Sequence, residues 1–465
     1  MIYLKDSPSA PQDLKRQLGL ASATALVAGE VIAVGIFLTP AEMSRSIGSP
    51  LLISTVWIAV GALSILGALC YGELAARFPE AGGGYVYLRE AYGPRIAFLY
   101  GWKCFLVMDP GLTAALAVGV ASYVGYIVSL SWVGSKLLAI GCIVAVTSAN
   151  ILGVRFGASI MRGLTALKVS LLLFIICWAV GFGFGSWSHF LPFVPQHSGS
   201  DGLGIALAGG LISAFFAFAG WWDVSRVTGE VSNPQKNLPR ALFFGILIVT
   251  VVYLATSAVF IYLVPIERVT SGETFAAQAG EAIFGRRGGL MFSSVVIISV
   301  LGSLAAFMIA APRLYYAMAR DRLFFMSAAR IHPRFGTPVG AIALQSVMAS
   351  ALVLLGNFRT IVAYFFFITF VFIGLTVAGL MIIRRRHGES ISYKTPGYPL
   401  TPILFVACTV AFLFVLFAGN PRQALIGTAV VGLGLPVYKY ISKSTSDLPA
   451  GSEVELLGAD SPERN

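Results

Sequence analysis

Long apolar runs follow one another almost from end to end of this chain, separated by short stretches rich in Arg, Lys, Gly and Pro. A run of roughly 17–25 apolar residues carries an α-helix across a bilayer core about 30 Å thick. About twelve such spans are predicted, near residues 18–40, 50–76, 96–127, 136–152, 160–182, 204–225, 240–264, 289–319, 338–355, 360–383, 400–418 and 423–440. None alternates apolar and polar residues with the period of two that a membrane β-barrel requires. The pattern therefore predicts an all-α, polytopic membrane protein.

Two of the runs are interrupted. The first carries Ala28-Gly29-Glu30-Val31-Ile32-Ala33-Val34-Gly35-Ile36-Phe37. A carboxylate at membrane depth is costly and normally faces a cavity or a partner. Glycines flanking it let the backbone leave helical geometry and come close to something bound. The stretch reads as a broken helix lining a site; the competing reading is a surface of small residues against which another helix packs. The sixth run carries Phe215-Phe216-Ala217-Phe218-Ala219-Gly220-Trp221-Trp222-Asp223. Alone, an aromatic stripe of this kind is lipid-facing or core. Spans one and six, however, would open the two halves of a five-plus-five arrangement. Interrupted segments at corresponding positions of two halves point to a transporter's binding site.

Two further polar residues lie deep in spans, Lys168 in span five and Asp109 in span three before Pro110. Lys168 either snorkels to the interface or serves the site. Asp109 either caps a half-helix resuming after Pro110 or belongs to the site. Glu30 has two candidate roles. Charged, it attracts an ammonium or pairs with Lys168; protonated, it carries a proton through the cycle.

Composition sharpens this picture. The 465 residues are 57% hydrophobic and 11% charged, with mean hydropathy +0.83; soluble domains are about 25% charged. A net charge of +11 could suggest nucleic acid, but the basic residues sit in short loops, where they set topology and meet anionic lipid. With the N-terminus inside, inner segments hold roughly three times as many Lys and Arg as outer loops, so both termini are expected in the cytoplasm. The five cysteines (Cys70, Cys104, Cys142, Cys177 and Cys408) form no C-x-x-C pair, and the four histidines lie outside the predicted spans. No metal and no cofactor are expected. The loop Phe78-Pro79-Glu80-Ala81-Gly82-Gly83-Gly84-Tyr85 lacks the Lys and Ser of a phosphate loop and reads as a tight re-entry or gate beside an inner vestibule.

Four segments now bring the chain close to a known family. They are Gly29 to Phe37; Tyr71-Gly72-Glu73-Leu74-Ala75-Ala76-Arg77-Phe78-Pro79 with Gly82 to Tyr87; Phe216 to Trp221 with Val227 to Val231, Asn233-Pro234 and Asn237 to Arg240; and Pro312 to Asp321. In this order they resemble the amino acid–polyamine–organocation superfamily, and within it bacterial amino acid permeases similar to L-type and cationic amino acid transporters. The resemblance implies a LeuT-type fold, a 5+5 inverted repeat with helices 1 and 6 broken around the substrate. It implies that amides around Val34, Gly35 and Ile36 hold an α-carboxylate, and that carbonyls near Gly29 and from Phe215 to Phe218 hold the α-amine. It makes Phe216 an aromatic gate and sets Lys168 where sodium-independent members replace a sodium ion, with Ser299 nearby. The candidate substrate-binding residues are then Gly29, Glu30, Val31, Val34, Gly35, Ile36, Asp109, Phe215, Phe216, Ala217, Phe218, Trp221 and Trp222; Lys168, Ser299 and Glu30 are candidate coupling residues. The chain departs from the family at Glu30, Ala33, Val34, Trp222 and Gly229, which bears on side-chain specificity rather than on fold.

The expected function is a secondary active permease moving amino acids by alternating access, sodium-independent, proton-coupled or exchanging. The alternative is a carrier of cationic amino acids or polyamines. A membrane enzyme would need a nucleophile–base pair or metal cluster at the membrane face, and a sensor would bind without transporting. Expected partners are a small amino acid, protons and membrane lipids, with no nucleic acid. No covalently linked subunit is expected, since the loop Ser129 to Ser135 has no cysteine where animal L-type relatives join a second chain. The expected division is a cytoplasmic segment 1–17, a transporter core 18–383 with repeats 18–182 and 204–383, spans eleven and twelve in 384–440, and a cytoplasmic tail 441–465. The expected location is the cell membrane, multi-pass, of a bacterial inner-membrane type.

Overall fold

The computed structural model describes residues 16, 18–33, 35–151, 154–269, 275–330, 332, 335, 337–355, 358–387, 392–419 and 421–446. They fold into helices α1 Leu20–Val31, α2 Gly35–Ile47, α3 Pro50–Arg77, α4 Gly84–Tyr92, α5 Pro94–Lys103, α6 Asp109–Ile127, α7 Trp132–Ile151, α8 Val154–Gly181, α9 Leu203–Phe218, α10 Pro234–Leu263, α11 Phe275–Phe284, α12 Arg286–Ala310, α13 Pro312–Arg320, α14 Val339–Leu355, α15 Phe358–His387, α16 Leu400–Gly419, α17 Pro421–Gly432 and α18 Gly434–Ser446. Among the described residues, nine helical stretches are long and apolar enough to cross a membrane, ten if the bent pair α1 and α2 is one span; Thr165–Gly181 and Val339–Leu355 are shorter apolar helices.

The first break differs in position from the sequence reading. α1 stays helical through Val31, so Glu30 sits in its last turn and the chain leaves the helix at Ile32 and Ala33. α2 then starts at Gly35, bent 43° from α1. Val34 lies outside the described residues. The two glycines are small because of what they touch. A Cβ on Gly29 would stand 2.5 Å from Thr165 Oγ1, and one on Gly35 would stand 2.6 Å from the Cα of Ala217. Gly35 thus lets the two broken spans meet backbone to backbone.

The second break follows the pattern Phe218-Ala219-Gly220. α9 ends at Phe218, Gly220 adopts φ +109°, and the span resumes as a 3₁₀ segment, Asp223–Glu230. That φ is open to glycine at no steric cost and strained for other residues. Span three does not break at Pro110. It runs on through a π-helical turn, Cys104–Met108, into α6, and Pro110, just after that turn, has no N–H to give to it.

The core gathers around these breaks. Trp57 is fully buried, with its ring 5.3 Å from that of Tyr253 and 6.1 Å from that of Phe218. The outer helices turn large apolar side chains outward, Leu137 and Val144 on α7 and Phe414 on α16 among them, as a lipid-facing surface does. Trp132 and Trp187 stand exposed at helix ends, where membrane interfaces favour Trp. At one end of the bundle, the triple glycine packs on the 3₁₀ segment. Gly82 N–H donates to Arg226 O (3.2 Å), and a Cβ on Gly83, φ +53°, would come within 2.9 Å of Arg226 N. There too, Leu18 N–H donates to Glu230 O and Ser232 N–H donates to Leu18 O, both at 2.9 Å.

Candidate transport site between the broken helices

The last turn of α1 leaves the carbonyls of Gly29 and Ile32 without helical partners, and a buried lysine takes them up. Lys168, only 2% exposed, reaches from α8 to donate to Gly29 O (2.5 Å), Ile32 O (2.5 Å) and Ser303 Oγ (2.8 Å). Its three N–H donors are thereby all used, and it does not snorkel. Ser303, on α12, lies 3.1 and 3.3 Å from the same two carbonyls. Ser299, one turn earlier, lends its carbonyl to Ser303, and its own hydroxyl has no protein partner. A small cation coordinated by carbonyls and a hydroxyl would need the same acceptors that the Lys168 amine takes.

Beside the break lies a cavity of about 20 Å³, lined by Glu30, Val31, Ala33, Gly35, Leu112, Leu116, Phe216, Ala217, Ala219, Ser303 and Phe307. It is wide enough for about one water, so an amino acid enters only if its walls move. Its chemistry is divided. Gly35 and the next residues present the amide end of α2, which carries partial positive charge suited to a carboxylate. Val31 and Ala217 present carbonyls. Leu112, Leu116, Phe216 and Phe307 are apolar. Glu30 is 7% exposed, and neither of its carboxylate oxygens has a hydrogen-bond partner in the protein.

Tyr253 joins the two breaks from α10, its hydroxyl 2.6 Å from Val31 O and 2.9 Å from Ala217 O. Sequence reasoning missed it, since a tyrosine within an apolar run is usually packing. Ser303 was missed for the same reason.

Asp109 neither caps a helix nor lines the cavity. It is fully buried and receives a two-pronged contact from Arg226, Nη1 to Oδ2 at 3.0 Å and Nη2 to Oδ1 at 3.2 Å, plus the Tyr315 hydroxyl at 2.6 Å. Arg226 reads from its position as an inner-loop topology charge, yet it is fully buried too. The missed signal was its spacing from Asp223, three residues earlier, in a stretch that also carries the second break. Asp223 Oδ1 lies 2.9 Å from Arg226 Nη2, but neither Asp223 oxygen is in hydrogen-bonding geometry with a donor.

Phe216 lines the cavity, whereas Phe215, Phe218, Trp221 and Trp222 line a separate small space with Ser64 and Phe405. Ile36 is buried in the first turn of α2. A wider cavity, about 290 Å³, opens beyond the 3₁₀ segment among Arg16, Glu80, Gly229, Tyr316 and Arg320. Glu230 and Arg313 form an ion pair beside it (3.1 Å). Among the described residues, no group of three His, Cys, Asp or Glu could hold a metal ion.

Two interrupted membrane helices meeting backbone to backbone, with an amine bracing one break, define a secondary transporter of the broken-helix class. The chain belongs to the amino acid permease family, whose pattern it matches over residues 18–434, and its fold is the all-α LeuT type of that family, built on a 5+5 inverted repeat. It is 30% identical to the serine/threonine exchanger SteT of Bacillus subtilis, over 92% of this chain and 98% of that protein. It is 29% identical to the Asc-type amino acid transporter 1 of Mus musculus, over 91% of this chain and 81% of that one. It is 30% identical to the large neutral amino acids transporter small subunit 2 of Homo sapiens, over 91% and 80%.

Proposed function

We propose that this protein exchanges neutral amino acids across the cell membrane by alternating access, without sodium. The observation that carries the reading is the meeting of the two breaks. Helix-end amides and the carbonyls of the last helical turns then border one cavity, the pair of groups a zwitterion needs. The substrate carboxylate meets the amides of α2 at Gly35 and Ile36. Its ammonium meets carbonyls of Val31 and Ala217 and the Glu30 carboxylate. Its side chain meets Leu112, Leu116 and Phe307, an apolar wall that suits a neutral residue. The names of the relatives, a serine/threonine exchanger and a large neutral amino acid transporter, support the same class. Phe216 closes the cavity, and Lys168 stands in for a sodium ion.

The excess of Lys and Arg on one side supports cytoplasmic termini. The core is proposed to run over residues 18–383, with repeats 18–182 and 204–383. The chain works without a disulfide-linked subunit, so non-reducing gels should show no linked complex.

Proteoliposomes loaded with L-serine, L-threonine or L-leucine and given the radiolabelled amino acid outside test this. Uptake is expected only with a loaded interior and equally in sodium and choline buffers. Absence of exchange for the whole panel of neutral amino acids would overturn the reading, and a sodium requirement would overturn the role of Lys168.

A further inference from the structure

The wider cavity lies at the end of the bundle where Leu18 pairs with the 3₁₀ segment. Its volume is about 290 Å³, and its wall includes Arg16, Glu80, Ala81, Gly229, Tyr316 and Arg320. Sites for small ligands start at about 300 Å³. It shares no wall residue with the cavity beside the first break, so its chemistry stands apart from the transport site.

Four donors border this space. Arg16 and Arg320 are both exposed residues that line it. Tyr316 is only 7% exposed, and its hydroxyl makes no hydrogen bond among the described residues. The Arg320 guanidinium lies over the Tyr316 ring, 5.9 Å from its centre, which holds the charge and the hydroxyl on the same side chain pair. The N–H of Ala81 pairs with no carbonyl among the described residues. Gly229 keeps that N–H open, since a Cβ there would stand 3.3 Å from the nitrogen.

Charge decides what such a wall suits. Two guanidiniums face one carboxylate, Glu80, which Arg89 already engages at 3.3 Å. Beside the cavity, Glu230 and Arg313 cancel each other in their own ion pair. The wall therefore carries an excess of positive charge. A zwitterionic amino acid, with no net charge, gains little from it. A phosphate group gains most, because guanidinium forks match its oxygens and a hydroxyl and an amide can take the oxygens that remain.

We propose that this cavity is a second binding site, for a phosphate-bearing anion held by Arg16, Arg320, the Tyr316 hydroxyl and the Ala81 N–H. The anion is either a free phosphate compound or the headgroup of an anionic lipid. Bound there, it ties the residue ahead of α1 to the end of α13. The proposal is independent of the amino acid reading above.

The full chain in nanodiscs tests it without any transport assay. In discs of phosphatidylcholine alone, inorganic phosphate is titrated at constant ionic strength with chloride as the control, and the melting temperature is followed. In discs where part of that lipid is replaced by phosphatidylglycerol, retention of the anionic lipid is read by native mass spectrometry. A saturable rise in melting temperature with phosphate, absent with chloride, identifies a free anion as ligand. Retained phosphatidylglycerol without a phosphate response identifies a headgroup. In either case the double variant Arg16→Gln/Arg320→Gln is expected to bind about tenfold more weakly or worse; both residues are exposed, so it should melt like the wild type when no anion is present. Tyr316→Phe and Gly229→Ala are expected to weaken the same response several-fold. No response to either probe overturns the proposal. So does a response that the double variant keeps, or one that both Tyr316→Phe and Gly229→Ala leave unchanged, since surface charge alone would then explain it.

Discussion

The hydroxyl of Tyr253 lies 2.6 Å from the carbonyl of Val31 and 2.9 Å from that of Ala217, so one side chain from α10 ties the two broken helices together. A phenol has a single proton to donate, and two acceptors compete for it. A substrate ammonium, with three protons, would satisfy both carbonyls and release the tyrosine. Tyr253→Phe keeps the ring against Trp57 and Phe218 and removes only the donor. It is expected to cost about 1–2 kcal/mol in stability and to reduce exchange far more than that loss of folded protein explains. Counterflow normalised to folded protein checks it; a normal rate would make Tyr253 a packing residue only.

Lys168→Ala deprives Gly29 O and Ile32 O of their charged donor. Each buried acceptor left bare costs about 1–3 kcal/mol, with Ser303 able to serve one of them. The variant is expected to fold with a lowered melting temperature and to exchange amino acids at a small fraction of the wild-type rate. Wild-type exchange unaffected by replacing sodium with choline is the companion expectation.

The two glycines of the first break should respond differently to an added methyl. In Gly29→Ala the obstacle is a side chain, Thr165, so the double variant with Thr165→Ala should recover activity. In Gly35→Ala the obstacle is the backbone of Ala217, and no side-chain change relieves it. Overpacking of this kind costs about 1–3 kcal/mol. Equal rescue of both, or of neither, would contradict the assignment.

Phe216 stands on the cavity wall near Phe366. Removing its ring should leave equilibrium binding of substrate within a few-fold and slow translocation, since what is lost is closure. Binding and exchange measured on one preparation of Phe216→Ala separate the two effects.

Arg226→Leu leaves Asp109 and Asp223 buried with no cation between them. Breaking a buried pair from one side costs about 3–5 kcal/mol, so the variant is expected to be poorly folded. Asp109→Asn, which keeps a polar partner for Arg226 and Tyr315, should be much milder. Melting curves in detergent rank them.

Much of the architecture was legible in the chain because a bilayer imposes one length and one composition on every span, and glycine with charge inside such a run stands out. The break at Gly220 and the depth of Lys168 could be read that way. The site's polar wiring could not. Tyr253 and Ser303 are ordinary residues in apolar helices and acquire partners only when α10 and α12 come against the break. Arg226 follows the charge pattern of an inner loop, and only the short 3₁₀ segment carries it into the interior. Asp109 offered two local readings, a cap or a ligand, and met a third, a guanidinium 117 positions away along the chain.

The backbone pairing of Leu18 with Glu230 and Ser232 has a mechanical consequence. α1 begins two residues after Leu18, and the 3₁₀ segment ends at Glu230. The near ends of the two broken spans are therefore stitched into one lever. If α1 swings about its hinge at Ile32 and Ala33, it must either unpick two backbone hydrogen bonds or drag the segment bearing Asp223 and Arg226 along with it. A route that opens at this end of the bundle by tilting α1 alone would have to cut that stitch first.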